Sequence, residues 1–299
     1  MNGILCIDKP QEMTSFAVCA LLRRLTGEKR IGHAGTLDPM ATGVLPVMLG
    51  RATRAIPLLP THDKGYRATM RFGAVSDTLD VWGAVETTGA ALPSMAAIEA
   101  ALPTFRGEIR QVPPMTSALK KDGVRLYELA RRGIEVEREA RPVTIYALEV
   151  VAYDDVRGEL TVDCACSAGT YIRTLCDDLG RALGCGAVMT ALRRTAAAGY
   201  TLAEALTVDD CKALAESGQL ETAIRAVDSA FTVHPSVTVT DAQARRFSNG
   251  GALSLDRLGT QTVTGTTRVY APNGVFLGLG TPENGELQVL RLLGGSDNG

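Results

Sequence analysis

A single ionisable carboxylate lies in the segment 32–43, GHAGTLDPMATG. That residue, Asp38, precedes Pro39, which biases it toward extended backbone, and it sits among three glycines that let the main chain approach a ligand closely. Such a setting can present the carboxylate to a substrate. It can equally close an Asx turn, with Asp38 accepting hydrogen bonds from backbone donors two or three residues on. Arg173 falls in the first turn of a predicted helix, where the dipole disfavours an exposed cation by about 0.3 to 1 kcal/mol. It therefore calls either for solvent or for a buried carboxylate that it would hold ionised. Tyr66 stands beside Lys64 and Arg67, and Tyr171 beside Arg173. Aromatics interleaved with positive charge suit a base taken out of its stack, each contact being worth about 1 to 3 kcal/mol in single-strand binding; a half-buried tyrosine with a solvated hydroxyl is the plainer reading. His33 has no Ser or Cys nucleophile at a fixed spacing, so a nucleic-acid contact or a packing role suits it better than acid–base work.

These residues need elements to position them. The apolar run 4–7 reads as a strand ended by Lys9 and Pro10. Thr14 or Ser15 can cap a helix whose Val18, Leu21, Leu22 and Leu25 recur at i, i+3, i+4 and i+7, and Gly27 fits its end. The glycines and proline of 32–43 predict a loop that neither helix nor strand traverses, followed by a buried strand over 44–49 and an alternating one over 66–74. A short helix over 95–102 precedes a mobile, basic excursion over about 111–133, with a helical piece at 127–131. Strands over 143–153 and 159–166 lead into an amphipathic helix from Thr170, with Ile172, Leu175, Cys176, Leu179 and Leu183 on one face. The stretch 188–202 carries Arg193 and Arg194, and a helix spans about 208–217. From about residue 231 short β segments and glycine-rich turns predict a small β-rich domain, 231–299, after a larger one, 1–230.

The chain has 299 residues, 45% of them hydrophobic, which suffices for two buried cores. No apolar run reaches the roughly 18 residues of a membrane span, and the N-terminus lacks the layout of a signal peptide, so a cytoplasmic protein without a membrane partner is expected. Seven cysteines among apolar neighbours suit reduced core thiols, and their spacing, with no histidine nearby, does not predict a metal site. The net charge of −2 argues against binding nucleic acid through the overall field. Locally, residues 21–56 and 117–132 carry excesses of +4 and +3, which mark either nucleic-acid faces or ordinary solvated helix faces.

Taken together the segments resemble the TruB family of pseudouridine synthases, in collinear order and over nearly the whole chain. LCIDKPQEMTS is similar to its KPxGxTS opening, and GHAGTLDPMATGVLPV to its catalytic-loop motif. KGYRATMRFG, VPPMTSALKKDGVRLYELARRG and CSAGTYIRTLCDDLGRALGCGAVMTALRR match further blocks, while RVYAPNGVFLGLG resembles its PUA-related ending. Glu12 departs from the glycine of the opening, and Thr116 from the aromatic often found in PPMxSALK. The resemblance implies an α+β pseudouridine synthase fold with a mixed, largely antiparallel central sheet and a PUA-like C-terminal domain. It implies isomerisation of uridine 55 in the tRNA T loop by base flipping, with no cofactor or metal, in a monomer that needs no guide RNA. It makes Asp38 the essential carboxylate and Arg173 its partner. Tyr66 and Tyr171 would contact the flipped uridine, Leu192 would line the uracil pocket and His33 would touch the T loop. Lys9, with Pro10, would support the loop, and the excursion at 111–133 would clamp the RNA. The rivals are a tRNA-binding protein that keeps the scaffold without its chemistry, and an unrelated α+β enzyme in which Asp38 only closes a turn.

Overall fold

The computed structural model describes residues 1–258 and 263–294. The chain opens with β1 (Gly3–Lys9) and α1 (Ser15–Thr26), whose N-cap is Thr14, its hydroxyl accepting from Ala17 N at 3.0 Å, and which Gly27 ends in the left-handed conformation. It continues through β2 (Ile31–His33), β3 (Thr42–Leu49), β4 (Lys64–Phe72), the hairpin β5 (Ala74–Ser76) and β6 (Val85–Thr87), then α2 (Met95–Ala101) and β7 (Gly107–Gln111). A small hairpin, β8 (Lys120–Lys121) and β9 (Val124–Arg125), and α3 (Leu126–Arg131) form the excursion. There follow β10 (Arg141–Asp154), β11 (Glu159–Cys166), α4 (Ile172–Ala182), β12 (Ala187–Ala197), β13 (Tyr200–Thr201), β14 (Leu206–Thr207) and α5 (Val208–Glu216).

Ten of these strands make one sheet, in the order β14-β1-β3-β12-β4-β11-β10-β7, with β2 beside β3 and β13 beside β12. Among the described residues β1–β14 and β3–β12 pair parallel and the other pairings are antiparallel, the mixed, largely antiparallel sheet expected. β3 and β12 share only a short register, Thr42 opposite Arg193 and Gly43 opposite Arg194. That brief parallel seam joins two antiparallel halves, and the segment carrying Asp38 runs into it. Gly43 has φ 104° and its backbone lies against that of Arg194, so a Cβ there would collide with the main chain of β12.

Side chains alternate across the sheet. Leu5 and Ile7 of β1 with Leu45, Val47 and Leu49 of β3 receive Val18, Cys19 and Leu22 of α1 and Val208 and Cys211 of α5. Ile4, Cys6, Val44 and Met48 point the other way, into a second core. β3 is thus buried on both faces, which is why its sequence is a continuous apolar run. In the other half, Ile172, Leu175, Cys176 and Leu179 of α4 pack on β4 and β11. All seven cysteines are buried and free, as their apolar surroundings led one to expect.

Two local expectations are corrected. The segment 32–43 is not loop throughout: Gly32 and His33 belong to β2 and Thr42 and Gly43 to β3, because β3 offers partners to both flanks. α4 begins at Ile172, not Thr170, with Tyr171 as N-cap and no side-chain cap bond.

Beyond residue 231 come β15 (Ser236–Thr238), α6 (Asp241–Ser248), β16 (Leu253–Ser254), β17 (Thr267–Tyr270), β18 (Phe276–Glu283) and β19 (Glu286–Leu292), a second sheet of order β15-β17-β18-β19-β16. Val237, Phe247, Val269 and Leu287 give it a core. Leu279 and Leu293, however, pack with Ile4, Val44 and Val227 of the larger part. Of the segment 231–299, residues 259–262 and 295–299 lie outside the described residues.

Candidate active site

The segment around Asp38 is tied down on both sides. Ser15 Oγ donates to Leu37 O at 3.1 Å and accepts from Leu37 N at 2.8 Å. Pro39 O accepts from Glu12 N at 2.8 Å and from Lys9 Nζ at 3.4 Å. Lys9, fully buried, also donates to Pro10 O at 2.8 Å and Met13 O at 2.7 Å. Burial lowers its pKa to about 8, opposed by the charge of Asp38. Leu37, Met40 and Ala41 are sunk in the core shared with α4. From the seam side, fully buried Arg194 donates Nε to Val44 O at 2.7 Å, Nη1 to Thr36 O at 3.2 Å and Nη2 to Gly35 O at 3.1 Å. The residues flanking Asp38 are thereby fixed, and its side chain, 39% exposed, faces open space.

Arg173 Nη2 stands 2.9 Å from Asp38 Oδ2, and Nη1 3.4 Å from Asp80 Oδ2. The guanidinium also donates to Thr78 O at 3.1 Å, Thr116 Oγ1 at 2.5 Å and Thr116 O at 3.2 Å. With its side chain only 6% exposed, this arginine needs such partners, since an unpaired buried charge is costly. Two carboxylates offset the helix dipole that works against a cation at this position. Asp80, itself buried, is held by Trp82 N at 3.0 Å and Thr78 Oγ1 at 2.8 Å.

Asp38 separates two spaces. The inner one, about 300 Å³, is lined by Asp38, Lys64, Tyr66, Tyr171, Arg173 and Leu192 among others. Tyr66 lies opposite Arg194 across β4 and β12. Burial pushes its phenol up to about 12 although the adjoining guanidinium opposes this, so it stands as a neutral hydroxyl. Tyr171 is pinned through its backbone by Gln111 at the end of β7: its N donates to Gln111 Oε1 at 3.0 Å and its O accepts from Gln111 Nε2 at 3.2 Å. The outer cleft, about 1290 Å³, runs from Asp38 past His33, Thr14 and Phe16 to the excursion, where Arg125 and Arg131 flank the Tyr127 ring at 5.9 and 5.4 Å. Burial, then the charge of Arg194, lowers the pKa of His33, so the imidazole is biased to the neutral form.

Residues 23–172 match the model "TruB family pseudouridylate synthase (N terminal domain)", and residues 173–232 match "tRNA pseudouridylate synthase B C-terminal domain". A third model, "Pseudouridine synthase II TruB, C-terminal", matches residues 235–293. A protein of Clostridium perfringens named tRNA pseudouridine synthase B is 43% identical over 296 residues, covering 98% of this chain and 99% of its own. The chain belongs to the TruB family of pseudouridylate synthases. The protein of that name from Chromobacterium violaceum is 44% identical, with 98% and 95% covered. The Cbf5 chain of a Cbf5-Nop10-Gar1 complex is similar in structure, with TM-score 0.73 and 25% identity over 97% of this chain and 84% of that one. The fold is therefore the pseudouridine synthase fold, with a C-terminal β unit of the PUA-like kind.

Of the residues singled out in this TruB-family sequence, Asp38, Tyr66, Tyr171, Arg173 and Leu192 come together around the inner cavity. His33 lines the outer cleft instead, and Lys9, which lines neither space, lies beneath the segment that bears Asp38 with its ammonium turned to carbonyls. Sequence reasoning missed Asp80, Thr78 and Thr116 as partners of Arg173, the hydrogen bonds of Ser15 to Leu37, and the clamping action of Arg194. Only Arg194 had a signal: consecutive strand residues face opposite ways, so of Arg193 and Arg194 one had to point inward. Arg193 indeed pairs with Asp8 at 2.7 Å, while Arg194 turns into the core.

Proposed function

We propose that this enzyme isomerises uridine to pseudouridine at position 55 in the T loop of tRNA, alone and as a monomer, in the cytoplasm. The observation that carries the reading is the Asp38–Arg173 contact of 2.9 Å at the mouth of a cavity lined by Tyr66, Tyr171 and Leu192. A uridine flipped out of the T loop enters the inner cavity, and the tyrosines and basic groups offset the few kcal/mol of stacking lost on extrusion. The bond from C1′ to N1 breaks with its electron pair leaving on the uracil. The carboxylate of Asp38, held by Arg173 at 2.9 Å, answers the electron deficiency of the sugar. The uracil turns, C5 bonds to C1′, the proton on C5 passes to solvent, and N1, freed from the sugar, takes up a proton in its place. Atoms and charge balance without an added cofactor. The outer cleft and its basic excursion carry the rest of the T arm, and Lys9 acts by holding the Asp38 turn.

The test is incubation of the purified chain with unmodified tRNA transcript and no guide RNA, followed by carbodiimide-based primer extension. The expected result is one new stop, in the T loop at the proposed uridine. A transcript left unchanged, or modified only elsewhere, would overturn the reading.

A further inference from the structure

Departure of a uracil leaves negative charge on the base, spread over N1 and the carbonyl oxygens. Electrostatic stabilisation in a water-poor site requires a preorganised donor aimed at that charge. Three cationic side chains approach the inner cavity from below and beside Asp38. Arg173 is committed to Asp38, Asp80, Thr78 and Thr116. Arg194 is committed to the carbonyls of Gly35, Thr36 and Val44. The third, Lys64, lines the cavity from the first residue of β4, with strands on either side of it at Cys166 and Ala197. Its ammonium lies beneath Gly35, where a Cβ would stand 3.4 Å from Cε and 3.9 Å from Nζ. Among the described residues the Lys64 ammonium makes no hydrogen bond and no ion pair within 4.0 Å. Burial, and then the charge of Arg194, lowers its pKa; Cys166 and Asp63 oppose this through their charge, without a hydrogen bond or ion pair to the ammonium among the described residues. Tyr66, the neighbouring hydroxyl, is too weak an acid to be the counter-charge.

We propose that Lys64 is a catalytic residue, donating a hydrogen bond from its ammonium to a carbonyl oxygen of the uracil and stabilising the negative charge that develops as the bond to N1 breaks. No proton is transferred: the electron pair of the C1′–N1 bond goes to the base, the lysine keeps its three hydrogens, and the contact is released when C5 rejoins C1′. This rests on the isomerase reading above and adds to it the group that receives the leaving base.

The experiment compares wild type, Lys64→Met and Lys64→Arg in single-turnover reactions on a T-arm stem-loop carrying either uridine or 5-fluorouridine at the target. Fluorine at C5 makes the base a better leaving group, so a residue that stabilises the leaving base matters less. The readout is loss of the N1-linked nucleoside after digestion, with the Kd of the stem-loop measured alongside. For Lys64→Met a rate loss on the order of 100-fold is expected with uridine, shrinking by about tenfold or more with 5-fluorouridine, at a Kd within about threefold of wild type. Lys64→Arg, which keeps a donor and the charge, should recover part of the rate. An equal loss on both substrates, a loss confined to Kd as a phosphate contact would give, or wild-type turnover by Lys64→Met would overturn the proposal. Inactivity of the wild type on the uridine stem-loop would instead refute the parent reading.

Discussion

Replacing the Asp38 carboxylate by an amide keeps its shape and removes the charge that Arg173 meets at 2.9 Å. Asp38→Asn is expected to abolish conversion of a T-arm stem-loop while leaving its Kd within about tenfold, or 1.4 kcal/mol. Release of tritium from C5-labelled uridine and filter binding check the two parts, and normal turnover by the variant would remove the mechanistic claim. Arg173 serves two carboxylates and both oxygens of Thr116, which takes a planar fork. Arg173→Lys should therefore lose about a hundredfold or more in single-turnover rate, and near-wild-type activity would refute the pairing. Part of this was readable in advance: a cation in the first turn of a helix asks for an anion, and Asp38 offered one. Its second carboxylate was not readable, since Asp80 sits in TLDVW, an undistinguished run that becomes meaningful only where the chain folds against α4.

The turn between β1 and α1 and the segment bearing Asp38 act as one unit, joined at Pro39 by Glu12 N and at Leu37 by Ser15. Glu12 occupies left-handed backbone at φ 67°, the conformation that a glycine in the family's opening motif would adopt freely. The left-handed cost of about 1 to 2 kcal/mol exceeds the extra chain entropy a glycine loses, so Glu12→Gly should stabilise by about 0.5 to 1 kcal/mol. The check is a higher urea midpoint at unchanged slope, with activity preserved because the backbone N–H to Pro39 remains; a lower midpoint would contradict the strain argument. At the same unit's other edge, Arg194→Met would leave the carbonyls of Gly35, Thr36 and Val44 without their buried donor. At about 1 to 3 kcal/mol for each unsatisfied group, the expected destabilisation is about 3 kcal/mol or more, measured by the same denaturation. A variant as stable as wild type would show that those carbonyls find other partners.

Across the whole molecule, Leu279 of the C-terminal sheet is fully buried in a core with Ile4, Val44 and Val227 of the larger part. Shared burial couples the two parts, so Leu279→Ala should cost about 2 to 5 kcal/mol and lower a single thermal transition rather than one of two. Calorimetry decides it, and a variant that shifts only a separable C-terminal transition would show the two parts to be independent. A division near residue 230 is visible in the sequence as a change from mixed elements to short β segments. The burial of Leu279 and Leu293 against the other part is not, because an apolar strand residue carries no mark of which core it enters.

What the sequence determined by itself was local: helix caps at Thr14 and Gly27, the two-faced burial of β3, the β-strand alternation, and a glycine-rich segment holding one carboxylate. These follow from backbone sterics and side-chain periodicity within a few residues, and the family blocks extended them to a fold and a set of expected site residues. The tertiary structure decided the rest. Whether strands claim Gly32, His33, Thr42 and Gly43 depends on β3 pairing along both edges, with β1 on one and with β2 and β12 on the other. Whether Arg173 meets Asp38, Arg194 clamps residues 35 to 44 and Lys64 is left, among the described residues, with an unengaged ammonium depends on a parallel seam between strands about 150 residues apart in the chain. Hydrogen bonds and ion pairs act over a few ångströms, and sequence distance says nothing of which groups the sheet brings within that range.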